Sequence, residues 1–144
     1  MTLASRRINV CEETAREMRG SRLKAQGFRC NATNENDVAY LVDSVVKLHD
    51  KLDVFVCNAG GPILDKDFPD ASTEAFRETI MMNINTTFIC AQTAARVMIK
   101  HGHGKIITVG SIHGVMGTDK RLYDGLDFKR SSIVILRRKE ASLT

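Results

Sequence analysis

The chain has 144 residues, 43% of them hydrophobic and 26% charged, with a formal net charge of +4 and a pI near 9.0. That composition fits one globular domain and argues against a disordered chain. The basic residues are scattered apart from Arg137-Arg138-Lys139, and there are no tryptophans and only two tyrosines, so the interleaved basic and aromatic pattern of a nucleic-acid surface is missing.

In chain order, Met1 to Ser5 is a short apolar piece followed by Arg6-Arg7. Asn9 with Glu12 forms a possible capping box for a first helix, with Val10, Thr14 and Met18 on its apolar stripe. Gly27 breaks that pattern, and Phe28 to Cys30 predicts a short strand. Asn34 can cap a second helix, in which Val38, Leu41, Val42, Val45, Val46 and Leu48 keep helical spacing. Leu52 to Cys57 reads as a buried strand that stops at the turn signal "NAGG". A loop marked by Pro62 and Pro69 leads to Ser72, which can cap a long helix from about Thr73 to His101. Lys105 to Gly110 predicts another buried strand. Strand and helix alternate throughout, the pattern of a parallel sheet with crossover helices.

Cys11, Cys30, Cys57 and Cys90 are dispersed and contain no C-x-x-C pair, which predicts buried or free thiols in a reducing compartment. "MTLASRRINV" turns polar too early for a secretory leader, and no apolar run is long enough to span a membrane. A cytoplasmic protein is the expectation. His101-x-His103 has no third ligand nearby, so no metal is expected, and His113 reads as a loop histidine.

Three stretches carry chemistry. Asn58-Ala59-Gly60 sits at the carboxyl end of a predicted strand, where open parallel sheets bind ligands, although a plain tight turn would look the same. Asn83 lies mid-helix between Met82 and Ile84, an unfavourable place for asparagine unless its amide has a use. Ser111 ends "KIITVGS" and reads either as a cap or as a polar group at a strand end. In their order and spacing, "CNAGG", "MMNINTTFICAQTAARVM" and "GKIITVGSIHG" resemble the short-chain dehydrogenase/reductase family. The resemblance runs from Leu3 to about Lys129.

The resemblance implies an α/β fold: an incomplete Rossmann-type doubly wound parallel sheet, without the first strand and the region after the fifth. Residues 1–130 are expected to form a partial NAD(P)-binding domain. The implied activity is hydride transfer between NAD(P) and an alcohol or carbonyl compound. By the same resemblance Asn83 holds a water of the proton relay, and Ser111 hydrogen-bonds the substrate oxygen. The turn Asn58-Ala59-Gly60 closes the cofactor cleft. Ser5-Arg6-Arg7 stands at the end of the second family strand, where an acidic residue would bind the ribose of NAD; guanidinium groups suit a 2′-phosphate and favour NADP over NAD. A charged turn before a helix is the plainer reading of the same residues. Asn31-Ala32 stands where the family usually has an aspartate for the adenine amino group, and Asn31 could accept that hydrogen bond without a charge. The long helix 73–101 resembles the family's subunit-contact helix, which implies a homo-oligomer or association with an intact relative.

Two family features have no match. No glycine-rich strand-turn-helix precedes Ser5, and without that central strand the sheet is expected to divide into two half-sheets. The catalytic Tyr-x-x-x-Lys is also missing, since Tyr123 has Asp127 in the lysine position. The stretch 131–144 does not resemble the family, and "IVILRRKEASLT" is expected to be out of frame: a one-base shift permits "YSSAKGGIIN", which has the missing spacing. An Arg138 codon that does not end in A would overturn that expectation.

Overall fold

The computed structural model describes residues 1–61 and 70–115; Tyr123, the stretch 131–144 and the whole of the predicted Pro62–Pro69 loop lie outside them. Strand β1 (Thr2–Ser5) leads to helix α1 (Ile8–Gly20) and β2 (Gln26–Arg29), then α2 (Glu35–His49) and β3 (Val54–Cys57). Helix α3 (Thr73–Ile80) passes through a π-helical segment (Met81–Asn85) into α4 (Thr86–His101), followed by β4 (Lys105–Thr108) and a short 3-10 turn (Ile112–Gly114). The predicted alternation of strand and helix is therefore present; Leu52–Cys57 and Lys105–Gly110 are each trimmed to four residues, whereas the strand expected at Phe28–Cys30 starts two residues earlier, at Gln26, and ends at Arg29.

The strands form two separate parallel pairs, β1–β2 and β3–β4. Thr2 is opposite Gln26 and Ser5 opposite Arg29; Val54 is opposite Lys105 and Cys57 opposite Thr108. Among the described residues no strand links β1 to β3, so the half-sheets expected from the sequence are what the fold contains. They share one core. Cys30, Val38, Leu41, Cys57 and Cys90 cluster together, joining the end of β2, helix α2, the end of β3 and helix α4. Val42, Leu52, Ala94 and Met98 extend the contact between α2 and α4. Strand β3 alternates, with Phe55 and Cys57 turned to this core while Val54 and Val56 stay about half exposed (49% and 53%). In a parallel sheet both faces are normally covered, which is why the outward positions are also apolar in sequence.

Local chemistry explains the boundaries. Asn34 caps α2 as predicted, accepting hydrogen bonds from the backbone N–H groups of Asn36 and Asp37. Ser72 caps α3 through Ala75 N–H. The predicted cap at Asn9 is corrected: α1 begins at Ile8 with Arg7 in the cap position, two residues earlier than expected. The Ser5 hydroxyl accepts from Arg7 N–H and turns the chain into the helix before Asn9 is reached. Glu12 is then unavailable for a capping box, because its Oε1 accepts from Gly27 N–H. The buried stripe of α1 is also displaced from the predicted Val10 and Thr14 to Cys11 and Ala15. Gly27 is a contact point inside β2 and not a break, since a methyl group there would meet Glu12 N at 2.9 Å, and the helix lies that close to the strand.

Candidate functional site

The carboxyl ends of the four strands carry most of the residues singled out from the sequence. At the first pair, Arg6 follows β1 and Arg29 ends β2. Together with Asn31, Asn36, Asp37 and Tyr40 they line one cleft of about 570 Å³. Asp37 belongs to the first turn of α2, and its Oδ2 accepts from Asn31 N–H at 2.9 Å. The Asn31 side chain makes an Asx turn, its Oδ1 accepting from Thr33 N–H and Thr33 Oγ1. Its acceptor is thus engaged locally, and its amide N–H₂ is the group left to face a ligand. Arg7 serves as the residue before α1 and does not line this cleft; Ser5 is held by Arg7 and by the Cys11 thiol, which donates to Ser5 Oγ at 3.1 Å.

At the second pair, Asn58, Ala59 and Gly60 follow β3 as an exposed turn. Asn83 reaches this turn from the π-helical segment. Its Oδ1 accepts from Gly61 N–H at 3.0 Å, and its Nδ2 donates to Gly61 O at 2.9 Å and to Thr79 O at 2.8 Å. All three bonds satisfy an amide that sequence alone left unexplained in mid-helix. The π segment itself is marked by Thr86 N–H donating to Met81 O, five residues back, and Thr86 Oγ1 donates to the same carbonyl. Such bulges re-aim side chains within a helix. Gly60 sits under Asn83, and a Cβ there would lie 2.7 Å from Asn83 Oδ1. Ser111 lies past the end of β4, exposed, and its carbonyl accepts Gly114 N–H to start the 3-10 turn.

Sequence reasoning missed four lining residues of the first cleft: Arg29, Asn36, Asp37 and Tyr40. A signal was available, because Arg29 stands two residues before Asn31 at the carboxyl end of β2 and Tyr40 is one turn beyond Asn36 and Asp37. It also missed Gly61, the partner of Asn83. A separate groove of about 380 Å³ lies between the second halves of α2 and α4, lined by Asp43, Val46, Lys47, Val97, Lys100 and His101, away from the strand ends.

The thiols are structural. All four cysteines are buried outside any disulfide. Burial, helped by neighbouring Cys57 and Cys30, pushes the Cys90 thiol up to about 11, and burial together with the Asp37 carboxylate raises Cys30. Neither is a nucleophile at neutral pH. Among the described residues there is no cluster of metal-binding side chains, and His103 instead pairs with Asp53 at 3.4 Å. No helix is long and apolar enough to cross a membrane.

The family model for short chain dehydrogenases matches residues 1–122. The chain belongs to that family. It is 37% identical over 93 residues to secoisolariciresinol dehydrogenase of Forsythia intermedia, covering 62% of this chain and 33% of that protein. Among solved structures it superposes on an NAD⁺-bound xylitol dehydrogenase with a TM-score of 0.76 at 26% identity, covering 81% of this chain and 45% of the other. ElxO with NADP bound gives a TM-score of 0.72, also at 26% identity, with 81% and 47% covered. The chain thus spans about a third of the length of the curated relatives it matches and under half of these structures. Short-chain dehydrogenases are oxidoreductases that bind NAD(P), act on small alcohols and carbonyl compounds and have a Rossmann-type fold, of which the described elements are a part.

Proposed function

We propose that this chain carries the cofactor-binding and part of the substrate-orienting surface of an NADP(H)-linked alcohol/carbonyl oxidoreductase. The observation that carries the reading is the cleft at the ends of β1 and β2, which gathers Arg6 and Asn31 where a dinucleotide's adenosine end would lie. The residues present fit such a group. Arg6 has no ion-pair or hydrogen-bond partner among the described residues and is available to a phosphate. The Asn83 side chain fills the place a Cβ would take at Gly60 and so backs the β3 turn on that side, while Asn58, Ala59 and Gly60 stay exposed.

NADP(H), when bound, would supply or accept the hydride. Arg6 would hold its 2′-phosphate, with Ser5 fixing the turn that presents it; Arg7, which the sequence offered for the same role, precedes α1 and does not line the cleft. Asn31 and Ala32 would border the adenine, and Asn58-Ala59-Gly60 would form the wall nearer the reacting end. Ser111 would donate a hydrogen bond to the substrate oxygen and stabilise charge that develops there. Asn83 would act first as a positioning residue for the turn; any water it holds must use the remaining lone pair of Oδ1, since both its amide hydrogens are engaged. The sequence has no tyrosine–lysine pair at family spacing, so turnover by this chain is expected to be lower by roughly 10²–10⁴-fold than with a general acid in place.

Titration with NADPH and NADH tests the reading. NADPH fluorescence is convenient because the chain has no tryptophan. NADPH should bind at least about tenfold more tightly than NADH, as expected for one charge-assisted phosphate contact. Equal affinity, or no binding of either, would overturn it.

A second reading has its own observation. Met81, Ile84, Phe88 and Ile99 repeat at helical spacing along the long helix and are exposed by 44%, 44%, 62% and 78%. A stripe of this kind favours association through helix 73–101, either with another copy or with an intact relative. Co-purification with a full-length homologue tests it.

A further inference from the structure

We propose that Arg29 and Tyr40 are specificity-determining residues of the adenosine end, forming with Arg6 a two-guanidinium, one-ring site for a 2′-phosphorylated adenosine. The proposal rests on the NADP reading above and extends it to residues the family motifs do not designate.

The register of the first sheet makes the juxtaposition. Ser5 is opposite Arg29, and Arg6 is the next residue after Ser5, so two guanidinium-bearing side chains leave adjacent strands at the same edge. Both line the cleft, both are exposed, and neither has a hydrogen-bond or ion-pair partner among the described residues. The single carboxylate in the lining, Asp37, already accepts a backbone bond from Asn31. The lining therefore carries two positive charges against one negative, an arrangement that suits a dianionic phosphate better than a neutral ribose. Tyr40 stands one turn beyond Asn36 and Asp37 on the same side of α2, and 67% of its surface is exposed. An exposed aromatic beside two arginines offers a face on which a purine can stack. Asn31 contributes its amide N–H₂, a donor matched to the ring nitrogens of a purine and not to its amino group.

The experiment is a calorimetric titration of the full chain with adenosine 2′,5′-bisphosphate and, separately, adenosine 5′-monophosphate. These probes lack the nicotinamide, so turnover plays no part. Arg29→Ala should weaken the bisphosphate about tenfold and leave the monophosphate nearly unchanged, with Arg29→Lys in between because it keeps the charge and loses the fork. Arg16→Ala, which removes an exposed arginine from α1 outside the cleft, should change neither. Tyr40→Ala should weaken both ligands by a similar factor of about ten, and Tyr40→Phe should preserve binding. In a Tyr123→Phe background Tyr40 is the only remaining tyrosine, so its emission should be quenched on binding. If the wild type prefers the bisphosphate but Arg29→Ala keeps that preference, or if Tyr40→Ala binds as the wild type does, the proposal is overturned while the NADP reading stands. If the wild type shows no preference or no binding, the NADP reading fails and the proposal with it.

Discussion

Asn83 holds Gly61 at both ends of its backbone, accepting from its N–H and donating to its carbonyl across 22 residues of sequence. This reciprocal pair fixes the turn after β3 to the π-helical segment, so the position of the turn depends on one amide. Asn83→Ala removes three hydrogen bonds and leaves partly buried backbone groups without a partner. The expected cost is about 1–3 kcal/mol, read from chemical denaturation, with faster exchange of the Gly61 amide than of amides in α2. Asn83→Asp keeps the acceptor but sets a carboxylate against the carbonyls of Gly61 and Thr79. It should be at least as destabilising, and unchanged Gly61 exchange in either variant would show that the turn is held by something else.

Gly60 tests the same geometry from the other side. A Cβ at Gly60 lies too close to Asn83 Oδ1, at 2.7 Å, so Gly60→Ala should destabilise the chain by about 1–3 kcal/mol. Because the clash is with the amide itself, Gly60→Ala and Asn83→Ala should not add. A double mutant whose loss is close to that of the worse single mutant supports the contact, and simple additivity would count against it.

These relationships mark the limit of what the sequence could disclose. Helix α2 was readable at its start, because Asn34 and the run Val38, Leu41, Val42 are local signals that the core confirms, but the predicted stripe overran at Leu48, which is exposed in the last turn. Helix α1 was misread at its start, because the two-residue Ser5–Arg7 turn competes with Asn9 and the Gly27 backbone takes Glu12. A polar residue in mid-helix flagged Asn83, but its partner is far away in sequence and no periodicity points to it. The division of the sheet was inferable from strand order alone, whereas the meeting of Arg6, Arg29 and Tyr40 required the register of β1 against β2.

The Cys90 thiol gives a pH dependence with a definite sign. Its value is pushed up from 9.0 to about 11, first by burial and then by Cys57 and Cys30, so the folded chain favours the neutral thiol more than the unfolded chain does. The stabilising contribution is complete below pH 9 and is lost as pH rises from 9 toward 11. Denaturation midpoints should fall through that window, and the fall should be smaller in Cys90→Ala once its lower baseline is subtracted. Alkylation of Cys90 at pH 8 should require unfolding; labelling of the native chain at the rate of a free thiol would refute the buried assignment.

The open sheet sets the stability. Val54, Val56, Ile107 and Val109 are each about half exposed, and the edges of β1 and β3 that would flank a central strand have no strand paired to them among the described residues. Apolar surface left in water and backbone groups without a ladder both lower the free energy gained on folding, against a usual total of about 5–15 kcal/mol. The chain should melt over a broad, low-temperature transition and bind a hydrophobic dye at neutral pH. Saturating NADPH should raise the midpoint, because only the folded state offers the strand-end cleft. A sharp melt at a midpoint ordinary for a domain of this size, without ligand, would count against the open sheet.

The exposed stripe on the long helix predicts association. Phe88→Glu places a charge in the middle of the stripe, at a position 62% exposed, where it should cost the monomer little. If Met81, Ile84, Phe88 and Ile99 form a contact, the same charge must be desolvated without a partner and should weaken self-association or capture by an intact homologue by about tenfold or more. Sedimentation of the wild type and the variant over a range of concentrations measures this directly. Glu13→Lys on α1, also exposed, is the control for a change of charge elsewhere. Equal association of wild type and Phe88→Glu would remove the helix as an interface and leave the cofactor-binding reading unaffected, because none of these four residues lines the strand-end cleft.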